Sequence, residues 1–477
     1  MKFNPDIFRA YDIRGVVGRD FDSHFALQLG QAFAQKLNAR LPRPQSSLAM
    51  TIKRGLCVAV GYDCRLTSLE LAENLILGLT RSGVKVINLG SCPTPLLYFS
   101  LFQDEVAGGI MVTGSHNPSE YNGFKLCLGK NSLFGDSIQE LKRIIELEEK
   151  EISIRGLARD DMLAMTTSRN PSIIESYQKY LIKHFSHLKK NKNKIKIVVD
   201  AGNGTAGNIA PAIFESLGFD VVPIYCEVDG RFPNHHPDPT IEENLKSLIK
   251  KVLLEKADLG IAFDGDSDRI GVVCDSGQII WGDILLTLFS KEIFKEKGRV
   301  KVIGEVKCSN ILFDEVRRIG GSALMWKTGH SFIKSKLKEE AADVAGEMSG
   351  HIFFNDRYFG YDDAIYAACR LLEILVDSHI PLSTIVNELP KTYSTPEIRV
   401  DSTDQKKFEL VQSVKDSFSK NHTVFALDGV RISFPDGWAL VRASNTQPVI
   451  VLRFEASSQK RLKEIQKQVQ ACLPAPL

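Results

Sequence analysis

Asp264, Asp266 and Asp268 alternate in LGIAFDGDSDRIGVV, a polar turn bounded on both sides by β-rich runs. In extended chain, positions i, i+2 and i+4 face one way, so alternation gathers three carboxylates on one side. Two such charges about 4 Å apart repel by roughly 4 kcal/mol at an effective dielectric of ~20. Three outcomes relieve the repulsion: the loop splays, the carboxylates protonate, or a hard divalent cation sits among them. A cation held by few protein oxygens, with room left for water and a phosphate, is Mg²⁺-like. A solvated acidic turn is the plain alternative. An EF-hand is excluded, because its sixth and twelfth positions would need Gly and Glu and hold Arg269 and Asp275. Arg269 adds a forked donor suited to phosphate.

Three other clusters carry chemistry. In GGIMVTGSHNPSEYNGFK, Ser115 lies between two β-rich runs, with Asn122-Gly123 as a turn signal before the second. A nucleophile elbow would need Gly where Thr113 stands, and His116 is poorly placed as a base for its own neighbour. The loop taken by itself reads as a turn, though a serine can carry a covalent phosphate. In WALVRASNTQPVIVLRFEA, the turn presents Arg442, Ser444, Asn445 and Thr446, a density of donors that suits a phosphate. A turn closed by Pro448 accounts for the same residues. In AGEMSGHIFF, Glu347 and Ser349 could grip two adjacent sugar hydroxyls, and the flanking glycines let a ligand approach. Two further features are set aside. DAGNGTAG matches the dinucleotide fingerprint but reads as helix capping, and His235–His236 reads as a Pro-rich loop whose side chains diverge.

The elements that must position these clusters repeat. Segments from Cys57, Lys196 and Val300 each run β-rich, turn, helical-period apolar pattern, Gly, β-rich. They predict three related α/β domains, divided at 1–160, 161–277 and 278–390. From 391 to 477 the pattern becomes strand, turn, strand, turn, strand, helix: a smaller α+β domain. At about 100–200 residues per domain, 477 residues agree with that division. Sixty basic and 58 acidic residues leave a net charge of +2, which offers no electrostatic case for nucleic acid or an anionic membrane. No apolar run approaches the roughly 18–20 residues of a membrane span. Nine scattered cysteines without a C-x-x-C predict reduced thiols and a cytoplasmic protein.

Taken in order, FRAYDIRG, TGSHNP with YNGFK, DGDSDR, KTGH, GEMSGH and RASNTQP resemble the α-D-phosphohexomutase superfamily, and specifically its bacterial phosphomannomutase/phosphoglucomutase branch. The resemblance spans nearly the whole chain and implies four domains around a central cleft, the first three α/β with mixed sheets. It implies a phosphoserine at Ser115, and Mg²⁺ held by Asp264, Asp266, Asp268 and a phosphoserine oxygen. Glu347 and Ser349 would read the sugar's 3- and 4-hydroxyls, within the run Met348, Gly350 and His351. Arg442, Ala443, Ser444, Asn445 and Thr446 would clamp the substrate's phosphate. Tyr11, Arg14, Lys125, Arg269, Lys307, His330 and His351 would line the cleft, with Arg14, Lys125 and His330 as candidates for proton transfer or charge stabilisation.

The implied reaction moves phosphate reversibly between the 1- and 6-positions of mannose and glucose. It runs through a hexose 1,6-bisphosphate, with glucose 1,6-bisphosphate as activator, in a monomer whose partners are small sugar phosphates. Phosphoglucosamine mutases carry Gln where this chain has Met348, so GEMSGH favours mannose and glucose phosphates. The rivals are a phosphoglucosamine mutase, a phosphatase, a nicotinamide enzyme and a non-catalytic sugar-phosphate-binding protein.

Overall fold

Each repeat folds as a strand, a helix and a second strand parallel to the first. Cys57–Tyr62 pairs with Lys85–Ser91 across helix Ser68–Arg81. Lys196–Asp200 pairs with Asp220–Ile224 across helix Ala210–Ser216, and Lys301–Glu305 with Ser322–Trp326 across helix Asn310–Arg318. The crossover helix is what makes a parallel pair possible, since a tight turn can join only antiparallel strands. This computed structural model describes residues 3–39, 56–103, 105–155, 167–169, 172–190, 194–403, 405–444 and 449–473. The chain forms two compact units: Met1–Gly282 with Ser349–Leu382, and Asp283–Met348 with Ser383–Leu477.

The first unit contains two mixed sheets. One runs in the order Ile13–Val16, Tyr121–Leu128, Gly108–Val112, Cys57–Tyr62, Lys85–Ser91, Thr167–Arg169. The other runs Ile279–Ile280, Ile270–Cys274, Leu259–Phe263, Lys196–Asp200, Asp220–Ile224. Gly108–Val112, Leu259–Phe263 and Ile270–Cys274 are buried along their whole length, as expected for strands covered on both faces. The Ser115 loop joins Gly108–Val112 to the antiparallel strand Tyr121–Leu128, and the aspartate loop joins Leu259–Phe263 to Ile270–Cys274. Both therefore hang from rigid, fully buried strand ends.

Asn122-Gly123 is a correction. The pair lies inside a strand, opposite Gly15 and Arg14, and not in a turn. Asn122 is buried, and its amide donates to the hydroxyls of Thr67 (3.0 Å) and Ser68 (2.9 Å), so tertiary bonds override the local turn preference.

In the second unit, Val344–Gly346 joins the Lys301–Glu305 strand in parallel. The terminal domain is antiparallel: Thr423–Phe425, Val430–Phe434, Gly437–Ala443 and Val449–Ala456 follow one another across the sheet, and helix Gln459–Gln470 packs Leu462, Ile465 and Val469 into its core. Ser458 starts that helix by accepting from the Arg461 amide. Helix Lys406–Phe418 also packs on this sheet, burying Val414 and Phe418.

Candidate active site

Ser115 sits in the left-handed backbone region, at φ 50°, and is buried. Its hydroxyl donates to Asp264 Oδ2 at 3.1 Å. His116 Nδ1 lies 3.3 Å from Ser115 Oγ, so the expectation that this neighbour is poorly placed is wrong. The positive φ at Ser115 departs from the extended chain that would point adjacent side chains apart. Burial, then Arg269 and Arg14, push the His116 imidazole well below its ordinary range, so the ring is neutral.

The three aspartates converge by a different route from the one alternation suggests. The segment is a tight hairpin loop, with Ser267 at φ 64° and its amide donating to the Asp264 carbonyl (3.1 Å). Asp264 Oδ1 accepts from the amides of Asp268 and Arg269, both at 3.1 Å. All three carboxylates are fully buried, with ligand atoms within 4.8 Å of one another. Lys125, on strand Tyr121–Leu128, places its ammonium between Asp266 Oδ2 (2.6 Å) and Asp268 Oδ2. Thr94 donates to Asp266 Oδ2 at 2.5 Å. Burial and then Asp268 and Asp266 push Asp264 well above the carboxylate range. Against the same burial penalty, Lys125 and Thr94 hold Asp266 below it. Burial lowers Lys125, but Asp266 and Asp268 outweigh it, so the amine stays charged.

One lysine cannot balance three aspartates, and Asp266 Oδ1 and Asp268 Oδ1 are buried without a hydrogen-bond partner. A buried carboxylate oxygen left in that state is costly. Clustered hard oxygens with unused acceptor capacity fit a hard cation, so the residues present suit a metal ion.

Arg269 donates through Nε to His351 Nε2 at 2.9 Å, which leaves His351 Nδ1 as the ring donor, 3.2 Å from both the Asp268 carbonyl and Asp362 Oδ2. Arg14 is bonded to Asp12 (2.5 Å) and to Asn117 of the serine loop (3.4 Å). Tyr11 is half-buried in the bend before strand Ile13–Val16. Ser349 and Gly350 precede His351 in the same unit.

The glycine fingerprint DAGNGTAG caps a short helix as expected, with Gly204 at the N-cap of Thr205–Asn208, and it has a second use. Thr205 donates through both its amide and its hydroxyl to the Gly265 carbonyl, each at 3.1 Å. A Cβ on Gly204 would come within 2.8 Å of that carbonyl, and one on Gly207 within 2.1 Å of the Cys226 carbonyl. Gly204 thus lets the loop press against the aspartate hairpin, and Gly207 lets it press against the chain at Cys226. His235 pairs with Asp200 at 3.1 Å and does not chelate with His236.

The second unit holds the remaining predicted residues. Lys307 lies 3.2 Å from Glu397 and 3.6 Å from Glu305. Glu305 also accepts from the Thr328 hydroxyl and the Met348 amide (3.1 Å), tying three loops together. Glu347 accepts from the Gly329 amide at 2.6 Å, and buried His330 begins helix His330–Glu339. Arg442, on strand Gly437–Ala443, donates to Asp428 Oδ2 at 2.8 Å, and the Thr328 amide reaches the same oxygen at 3.0 Å. Ala443 ends that strand, and the Ser444 amide donates to the Val449 carbonyl (2.9 Å). Asn445 and Thr446 lie outside the described residues. Glu305, Asp362, Thr94 and Asp428 had no sequence signal, because each acts through partners far along the chain.

Four family models match in succession. Phosphoglucomutase/phosphomannomutase alpha/beta/alpha domain I matches residues 5–152, domain II 175–277, domain III 281–393, and the C-terminal domain 397–471. The chain belongs to the phosphoglucomutase/phosphomannomutase family. It is 44% identical over 478 residues to a phosphomannomutase/phosphoglucomutase of Pseudomonas aeruginosa, covering 98% of this chain and 97% of that one. It is 42% identical over 472 residues to a phosphoglucomutase of Neisseria gonorrhoeae, covering 98% and 96%. A solved family protein from Burkholderia thailandensis superposes with a TM-score of 0.86 at 39% identity, covering 100% of this chain and 99% of that one.

Proposed function

We propose that the protein interconverts the 1- and 6-phosphates of mannose and glucose through a phosphorylated Ser115. The observation that carries this reading is the buried Ser115 hydroxyl, 3.1 Å from Asp264 within a carboxylate cluster that one lysine leaves undercharged. The substrates follow from the names of the relatives, which include both phosphomannomutase and phosphoglucomutase.

Asp264, Asp266 and Asp268 would hold Mg²⁺, which when bound offsets charge on the transferring phosphoryl group. The chain's own residues do the rest. Lys125 adds a fixed positive charge at the same place. The phosphorus–Oγ bond of phosphoserine breaks as a bond forms to a sugar hydroxyl, whose proton leaves to a base, giving the 1,6-bisphosphate. The other phosphate then returns to Ser115. On that return the serine proton leaves along a contact it already makes, to the neutral His116 Nδ1 at 3.3 Å. Arg442, Ser444, Lys307 and Arg269 hold phosphate charge, while Glu347 and Ser349 accept from the 3- and 4-hydroxyls. Those hydroxyls are alike in glucose and mannose, so both sugars are accepted.

The test is a turnover assay with glucose 1-phosphate, then mannose 1-phosphate, each with Mg²⁺ and a trace of glucose 1,6-bisphosphate. The 6-phosphates are expected. Inorganic phosphate as the main product would mean a phosphatase, and no turnover of either sugar would overturn the reading.

A further inference from the structure

The Ser115 loop is fastened from below by a pair of residues that no motif marks. Asp63 and Arg65 follow strand Cys57–Tyr62, and both are 2% exposed. The Arg65 guanidinium donates to four carbonyls of the loop and its exit: Ser115 (2.8 Å), Asn117 (2.5 Å), Pro118 (2.6 Å) and Tyr121 (3.1 Å). Its Nε reaches Asp63 Oδ2 at 3.2 Å. Asp63 also accepts from the Gly114 amide (3.1 Å) and the Thr113 hydroxyl (2.7 Å), and the Thr113 oxygen in turn accepts from the Ser115 amide (2.8 Å). The contact is so close that a Cβ on Gly114 would lie 2.5 Å from Arg65 Nε.

We propose that Asp63 and Arg65 are positioning residues for phosphoryl transfer at Ser115. This rests on the assignment of Ser115 as the phosphoryl carrier. Arg65 is too buried to meet a sugar phosphate, so it acts through the loop. Two consequences follow from its bonds. The negative ends of four carbonyl dipoles, which would repel a phosphoserine dianion, are engaged by a cation. The left-handed conformation of Ser115, which side chains rarely adopt, is over-determined by bonds on both sides of its peptide, so Oγ stays in line with Asp264 whether or not it carries phosphate. Only a forked donor reaches so many acceptors at once, and a lysine cannot replace it.

The experiment compares full-length wild type, Arg65→Lys, Thr113→Val, Thr113→Ser and Ser115→Ala. It measures kcat and KM for glucose 1-phosphate, single-turnover transfer from glucose 1,6-bisphosphate to dephosphorylated enzyme, and the folded fraction. Misplacing a reacting group by about 1 Å costs on the order of 10²-fold, which is the loss of kcat and of the single-turnover rate expected for Arg65→Lys. Thr113→Val loses about tenfold and Thr113→Ser recovers, while KM stays within about threefold throughout. If Arg65→Lys does not fold, the Thr113 pair decides, since Val keeps the shape without the hydroxyl and Ser keeps the hydroxyl without the methyl group. Normal kcat per folded molecule in Thr113→Val, or a loss that resides in KM, overturns the proposal. Wild-type turnover by Ser115→Ala would instead overturn the carrier assignment, a separable result.

Discussion

Around Ser115 the carboxylates outnumber their counter-charges: Asp264, Asp266 and Asp268 share Lys125, with Arg269 Nε 4.0 Å from Asp264. Around Lys307 and Arg442 the arrangement differs, because the carboxylates are spread over separate cations, Glu397 and Glu305 with Lys307 and Asp428 with Arg442. The first region is fixed mainly by backbone bonds and strand ends, and its residues suit a cation that would complete its charge. In the second, Lys307 holds Glu397 down at about 2 despite its burial, and Glu305 and Glu397 keep Lys307 charged. In the proposed function, a phosphate arriving at Lys307 and Arg442 would share those cations with resident acids. That would moderate its hold, which suits an enzyme that releases a phosphorylated product each turnover. On the proposed function, the difference would separate chemistry, built for rigidity, from recognition, built for exchange.

The largest effect that could break this comparison is Ser115→Ala. It removes the phosphoryl carrier and is expected to reduce mutase activity to background in the coupled assay, with the fold unchanged by circular dichroism. Next is the cation. Chelation is expected to abolish turnover and Mg²⁺ to restore it, while Asp266→Asn loses about 10²–10³-fold in kcat, the scale of a lost charge-stabilising group. Retained activity after exhaustive chelation would show that Lys125 alone suffices. Third, Arg442→Ala is expected to weaken substrate binding by about 1.5–3 kcal/mol, the worth of a charged hydrogen bond, with the loss in KM. A loss confined to kcat would erase the distinction between the two regions.

The last effect falls on stability and not on turnover, and concerns the scaffold of the first region. Asp363 starts helix Ala364–Ser378 and accepts from Tyr177 (2.8 Å) and Tyr358 (2.7 Å). Burial pushes its carboxyl up to about 6 from 3.8, against the hydrogen bonds that favour ionisation. The unfolded chain therefore ionises this group first. Its contribution is full below about pH 4 and is lost as pH rises to about 6, by up to ~3 kcal/mol. Wild type is expected to lose stability relative to Asp363→Asn across that window in urea unfolding, with a flat difference above it. A difference independent of pH would contradict the burial argument.

Legibility in the sequence followed the range of the interactions. The three strand–helix–strand units were readable because hydrophobic period and Gly placement are local. Asp264, Asp266 and Asp268 were readable as a cluster because five residues contain them, yet the hairpin that gathers them was not, since Ser267's positive φ has no local residue signature. Asn122-Gly123 misled for the converse reason: a local turn preference lost to bonds with Thr67 and Ser68, more than 50 residues away. Arg65 was invisible because its partners are carbonyls 50 to 56 positions on, and carbonyls have no identity in a sequence. His116 was discounted because it is Ser115's immediate neighbour, yet with Ser115 in the left-handed region the two side chains meet at 3.3 Å.

The central claim is that Ser115 carries the phosphoryl group beside a cation-dependent carboxylate cluster. Intact-mass analysis tests it most directly. The dephosphorylated enzyme is incubated with glucose 1,6-bisphosphate and Mg²⁺, mapped by peptide, and then treated with glucose 6-phosphate. The account predicts the gain of one phosphoryl group on Ser115, its loss on adding the monophosphate, and no gain in the presence of chelator. A phosphoryl group on any other residue, or turnover with Ser115 unmodified throughout, would contradict it.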